Sequence, residues 1–136
     1  MWEIVVDTSA LVAIFKSEDD SDALARALSE ASLVLLPATC LVEAALLGRV
    51  GRGFFGWLNE VLEDERFGIG EITVPVAELA AQAARIYGKG SGHPAQLNFG
   101  DCFSYAVAEY RGLPLLYAGG DFSKTGIKSV LATRQD

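Results

Sequence analysis

Histidine occurs once in this chain, at His93, and cysteine twice, at Cys40 and Cys102. One histidine excludes a site that needs several. The two cysteines are far apart in apolar sequence, without the close paired spacing of a zinc site or the pattern of a disulfide framework, and they read as small buried hydrophobes. Any metal must therefore be held by oxygen. No apolar run approaches the roughly 18 residues that span a bilayer. The opening Met1-Trp2-Glu3-Ile4-Val5-Val6-Asp7 lacks a basic region ahead of an apolar stretch, so neither a membrane protein nor a signal peptide is read, and the cytoplasm is the expected location. Basic charge is scarce too. Eleven Lys and Arg against 18 Asp and Glu give a net charge of −7, which argues against a broad nucleic-acid surface. A local surface is still open, because a carboxylate-lined metal site supplies negative charge and a bound cation reverses the local field. Arg49, Arg52, Lys89, Lys124 and Lys128 are available for a basic rim.

What is present is apolar material. Hydrophobic residues make up 51% of 136 positions, enough for one compact domain spanning 1–136. Glu3 to Asp7 and Leu33 to Leu36 read as buried strands, the second closed by Pro37. Thr8 and Ser9 offer capping hydroxyls to a helix, and the acids at 18–20 open a second one. Helices follow from Ala38 to Leu47, over Phe54 to Leu62, and from Pro75 to Tyr87. Gly48 through Gly53 separates the first two, and Glu71 to Val74 reads as a strand end. Asn98 caps the helix holding Asp101, which Gly112 ends. Leu113 to Tyr117 is a strand, and Ser129 to Ala132 reads as a final edge strand. Strands alternating with helices imply an α/β domain with a short, mostly parallel sheet covered on both faces. In such sheets function collects beyond the carboxyl ends of the strands. Asp7 stands at one such end and Asp121 just past another.

Four acids merit weighing. Asp7 is either a helix cap or a metal ligand at a strand end, and with Thr8 and Ser9 at hand the cap does not require an acid. Glu43 stands alone in the apolar stretch Cys40-Leu41-Val42-Glu43-Ala44-Ala45-Leu46; a carboxylate buried there needs a partner or a cation. Asp101, three residues after Asn98, suits a helix N-terminus, yet the small apolar residues after it imply a buried helix and an acid facing a site. Asp121, in Gly119-Gly120-Asp121-Phe122, is as much turn chemistry as ligand. Carboxylates that converge repel one another, by about 4 kcal/mol for a pair ~4 Å apart at an effective dielectric near 20. A Mg²⁺ or Mn²⁺ ion removes that penalty, prefers oxygen ligands, polarises a phosphate oxygen and makes hydroxide available near neutral pH.

The glycine loop at 88–92 does not have the spacing of a phosphate-binding loop and reads as a flexible surface loop, with His93 structural or exposed. Phe54, Phe55 and Trp57 read first as core, and otherwise as a surface for a partner.

With these residues in place the chain resembles a known family. Val5-Val6-Asp7-Thr8-Ser9-Ala10-Leu11 looks like the opening of a PIN domain. Leu97-Asn98-Phe99-Gly100-Asp101-Cys102-Phe103-Ser104-Tyr105-Ala106 is similar to the third acidic motif of VapC toxins, and the tail from Leu115 to Thr125 continues the match. The resemblance implies a three-layer PIN-like fold and Mg²⁺- or Mn²⁺-dependent endoribonuclease activity on tRNA or rRNA. It also implies a toxin role, a VapB antitoxin and a homodimer. Asp7, Glu43 and Asp101 map onto the family's acidic triad, with Ser9 as a supporting hydroxyl toward the metal's water. Many relatives carry an acid where this chain has Gly119, and close ones carry another where it has Gly126. Asp121 is then the candidate fourth acid, and one tightly held ion is favoured over two. A haloacid-dehalogenase-like phosphatase would need a second acid two residues after Asp7, where Ser9 stands. A response-regulator receiver would need an acidic pair at the first strand end. The non-enzymatic alternative is an interaction module whose site has decayed.

Overall fold

The computed structural model describes residues 2–47 and 53–134. Arg49 and Arg52, two of the expected rim cations, and most of the glycine-bounded break at 48–53 lie outside the described residues. The chain runs β1 (Trp2–Val6), α1 (Thr8–Phe15), α2 (Ser21–Glu30), β2 (Ala31–Pro37), α3 (Ala38–Leu46) and α4 (Phe54–Val61). It continues through β3 (Phe67–Gly70), α5 (Val74–Tyr87), α6 (Phe99–Arg111), β4 (Leu115–Leu116), a 3₁₀ turn (Phe122–Lys124) and α7 (Val130–Arg134).

The four strands form one sheet in the order β3-β2-β1-β4, and every pairing is parallel. Side chains alternate across it, as strand geometry requires. Ile4, Val6, Val34, Leu36 and Leu116 face a core shared with α1, α2, α3, α4 and α7. Val5, Leu35 and Leu115 face the other, built with α5 and α6. Helices on both faces make three layers, as expected of an alternating βα chain. Phe54 is buried and Trp57 half-buried against Phe15, so this aromatic group is mainly core; Phe55 stays 44% exposed.

Three local expectations are corrected. The third strand is Phe67–Gly70, not Glu71 to Val74. Its Phe-Gly-Ile-Gly sequence hides the strand from propensity, while the glycines let it lie close to its neighbours: a Cβ on Gly70 would stand 3.0 Å from Val107 Cγ1. Ser129 to Ala132 does not form an edge strand. Only Ser129 bridges, to Leu115, and a helix starts at Val130, whose side chain is buried against the first core. The expected strand over Leu113 to Tyr117 shortens to two residues.

The glycine loop is tied down by backbone. Leu97 N donates to Tyr87 O at 2.8 Å and Lys89 N to Leu97 O at 3.0 Å. His93 is structural, as expected: its Nδ1 accepts from Ala95 N and its ring stands edge-on to Tyr87. Both cysteines are buried and free. Among the described residues no helix is long and apolar enough to cross a membrane.

Candidate active site

Since the strands are parallel, their carboxyl ends share one edge, and the chain leaving β1 and β2 turns there into α1 and α3. Asp7 is the first residue past β1. Its backbone N donates to Leu116 O at 2.9 Å, which fixes it against β4. Both of its oxygens are engaged: Oδ2 accepts from Ser9 N at 3.0 Å, capping α1, and Oδ1 accepts from Ser104 Oγ at 2.5 Å. The cap and the site are therefore the same residue. The expectation that Thr8 or Ser9 caps the helix is overturned, because their hydroxyls serve elsewhere. Thr8 Oγ1 donates to Glu43 Oε1 at 3.2 Å. Ser9 Oγ accepts from Ala118 N at 3.1 Å and pins α1 to the segment that leads to Asp121.

Glu43 is half-buried on α3, although the helix is less enclosed than its apolar sequence suggests. Val42 and Leu46 are 62% and 78% exposed. The Glu43 carboxyl is nonetheless pushed above its ordinary value, first by burial and then by the charge of Asp7, against hydrogen bonds from Thr8 and Cys40 that lower it. It reaches the site because Gly100, in the first turn of α6, has no side chain. A Cβ there would overlap the Glu43 carboxylate.

Asp101 completes a capping box: Asn98 Oδ1 accepts from Asp101 N at 2.8 Å, and Asp101 Oδ2 accepts from Asn98 N at 2.9 Å. The reading of Asp101 as a cap is therefore correct. Its carboxyl is pushed up to about 6, first by burial and then by the charges of Asp7, Asp121 and Glu43, while the Asn98 bond opposes the rise. Asp121 is exposed at the start of the 3₁₀ turn and makes no capping hydrogen bond there. The structure thus brings Asp7 and Glu43 together directly, with Asp101 and Asp121 within electrostatic reach.

Potential ligand atoms of Asp7, Cys40 and Glu43 lie within 4.8 Å of one another. Cys40 fits a hard cation poorly. Burial and the nearby acids push its thiol up to about 12, so it stays protonated, 3.6 Å from Ser104 Oγ. The oxygens fit well: they are buried or half-buried and mutually repelling, and a divalent ion with oxygen preference relieves both conditions.

Sequence reasoning missed Ser104, Thr8 and Gly100 as positioning residues. A serine in the small, apolar run of α6, one turn after Asp101, was the available signal for the first. The glycine beside Asp101 was the signal for the last.

Comparison with known proteins places the chain in a family. Residues 4–128 match the PIN domain family. The chain is 42% identical over 133 residues to ribonuclease VapC28 of Mycobacterium tuberculosis, covering 96% of this chain and 100% of that one. Among solved structures it is similar to M. tuberculosis VapC20, described as a sarcin-ricin loop cleaving toxin. The TM-score is 0.72 at 21% identity, over 92% of this chain and 96% of that one. It is also similar in fold to VapBC2 from Rickettsia felis, solved bound to a DNA fragment from its promoter, with TM-score 0.67 and 14% identity over 93% and 95% of the two chains.

Proposed function

The chain belongs to the PIN-domain family, and from that premise we propose that it is a VapC-type endoribonuclease that cleaves tRNA or rRNA with Mg²⁺ or Mn²⁺. The observation that carries the reading is the meeting of Asp7 and Glu43 at the carboxyl edge of the sheet, with the Asp101 carboxyl raised first by burial and then by the charges of the other acids. Asp7, Glu43 and Asp101 would hold the ion, with exposed Asp121 as the candidate fourth acid. The chemistry a divalent cation supplies in such a site is a nucleophile near neutral pH and relief of negative charge on the phosphate. The protein's own part is orientation. Ser104 and the Ser9 backbone aim Asp7, Thr8 aims Glu43, and the cap with Asn98 aims Asp101. Ser9 supports from behind, through Ala118.

The resemblance and the VapBC complex among its structural relatives support a toxin role; the reading takes the whole chain as one domain acting in the cytoplasm. A VapB-type antitoxin would cover the acids and the exposed Val42 and Leu46 beside them, and the working form is a homodimer.

The test is cleavage of total tRNA and rRNA by antitoxin-free protein in Mg²⁺, Mn²⁺ or EDTA. Asp7→Asn and Asp101→Asn serve as controls. Metal-dependent fragments that both substitutions abolish are expected. Intact RNA under every metal would favour the decayed interaction module, which the glycines at 119 and 126 otherwise support.

A further inference from the structure

Phe99 is 81% exposed, the most exposed of the large hydrophobic side chains among the described residues. It opens α6, between the capping Asn98 and Gly100, where the Glu43 carboxylate presses in, and two residues before Asp101. The ring is not loose. Phe103, one turn on, meets it edge-on at 5.1 Å between centroids and 67° between planes. Beside this pair α5 shows only small residues, Ala77, Ala81 and Ala84, leaving a groove of about 220 Å³ with Phe99 as one wall.

Along the segment that leads into the ring the chemistry changes. The backbone ladder between Lys89 and Leu97 holds Lys89 beside the residues that lead into the Asn98 cap. Lys89 is exposed and has no ion pair among the described residues. An occupant that offers a flat apolar face to Phe99 and negative charge to Lys89 would match both. A nucleotide has that combination. A purely apolar partner would leave the Lys89 charge unmatched.

We propose that Phe99 is the base-stacking residue of a single-stranded RNA subsite at the mouth of the acidic site, with Lys89 contacting the neighbouring phosphate. The inference rests on the ribonuclease reading and adds to it how substrate is held. Bases of unpaired RNA stack on exposed aromatic rings whatever their identity, and a lysine near the backbone adds a salt-dependent contact.

Binding is measured without turnover, in an Asp101→Asn background that keeps an oxygen for the Asn98 cap. A fluorescein-labelled, unstructured RNA oligonucleotide is titrated in Mg²⁺ and followed by anisotropy. Adding Phe99→Ala is expected to weaken binding by roughly tenfold or more. Phe99→Trp should restore it, with tryptophan emission quenched by RNA, whereas Phe99→Leu should not. Lys89→Ala should lower the slope of log affinity against log salt by about one. The melting temperature should hardly move, since the ring is mostly in solvent. Equal binding by the Phe, Leu and Ala forms, or no binding by the Phe form, would overturn the proposal. So would a Phe99→Ala protein that falls from dimer to monomer in sedimentation with RNA binding intact, which would give this face to a second copy. Failure of the wild type to cleave RNA sinks the ribonuclease reading by itself, and the binding series still decides the subsite.

Discussion

At the amino edge of the sheet Asp64 lies 2.9 Å from Arg66, and hydrogen bonds from that guanidinium hold its carboxyl down to about 2. At the carboxyl edge Asp101 has no cation against it among the described residues, and burial, with the charges of other acids, pushes it up to about 6. The Arg66 guanidinium also donates to the carbonyls of Leu28, Ser29 and Ala31, closing the end of α2 where β2 begins. One edge is thus internally neutralised and complete. The other is built from positions that a stable apo protein would not choose, with Asp7, Glu43 and Asp101 each held by hydrogen bonds to neighbours and, among the described residues, by no compensating charge. Repulsion among converging acids that no described cation relieves is what a cation site requires.

The largest test of that contrast uses two helical glycines. Gly56, in α4, has nothing near its missing Cβ, whereas a Cβ on Gly100 would overlap the Glu43 carboxylate. Gly56→Ala should stabilise the protein by roughly 0.5–1 kcal/mol in denaturant unfolding and leave cleavage unchanged. Gly100→Ala should still fold, because the Glu43 end is flexible and can swing out. Cleavage should then fall on the order of a hundredfold, since a displacement of about an ångström in a positioned group has that effect. Equal activity in the two alanine variants would remove Glu43 from the site.

Ser104→Ala comes next. It deletes the 2.5 Å bond to Asp7 Oδ1 in a fully buried position. A hydrogen bond to a buried charge is worth roughly 1.5–3 kcal/mol, and loss of a supporting partner commonly costs ~10–100-fold in metal affinity or activity. Ser104→Thr, which keeps the hydroxyl, should retain more of both. If Ser104→Ala lowers stability while metal-dependent cleavage stays whole, the serine belongs to the core and not to the site.

Much of this was legible in the sequence. Alternating βα segments imply the covered parallel sheet, Asn98 with Asp101 spells a cap, and the lone Glu43 in apolar sequence marks a carboxylate in need of company. What escaped depends on distance in space. Asp7 and Ser104 are 97 residues apart and Thr8 and Glu43 are 35 apart, and no local pattern pairs them. Dual use also obscured the reading. Asp7 and Asp101 each satisfy a helix terminus and face the site, so weighing cap against ligand posed a choice the fold does not make. The short strand at Phe67–Gly70 was hidden because its glycines are there for close packing, whereas strand propensity rewards bulk.

The amino edge supplies the next contrast. Arg66→Ala should destabilise the protein by about 1 kcal/mol, mainly through the carbonyls of α2 and β2, because an exposed ion pair contributes little. Cleavage and its metal dependence should be unaffected. Thermal melts with a parallel cleavage assay check both, and a loss of activity beyond the loss of folded protein would show that the two edges are coupled.

An effect of similar size is the most diagnostic of the acidic edge. Asp101 ordinarily titrates near 3.8 and is raised to about 6 in the fold. Between those values the folded state holds more protons than the unfolded state, so metal-free stability falls as pH rises through the window. Above it the full penalty remains. Asp101→Asn removes that penalty and keeps an oxygen for Asn98. In EDTA at pH 7.5 the variant should therefore melt a few degrees above wild type, at ~2–4 °C for each kcal/mol in a chain near this size. The gap should close as pH falls toward 4. Adding Mg²⁺ at pH 7.5 should reverse the order, because the ion stabilises only the chain whose carboxylate it can use. A gap that does not change with pH would mean that Asp101 acts through its cap alone, and the carboxyl edge would then hold a pair of acids rather than a triad.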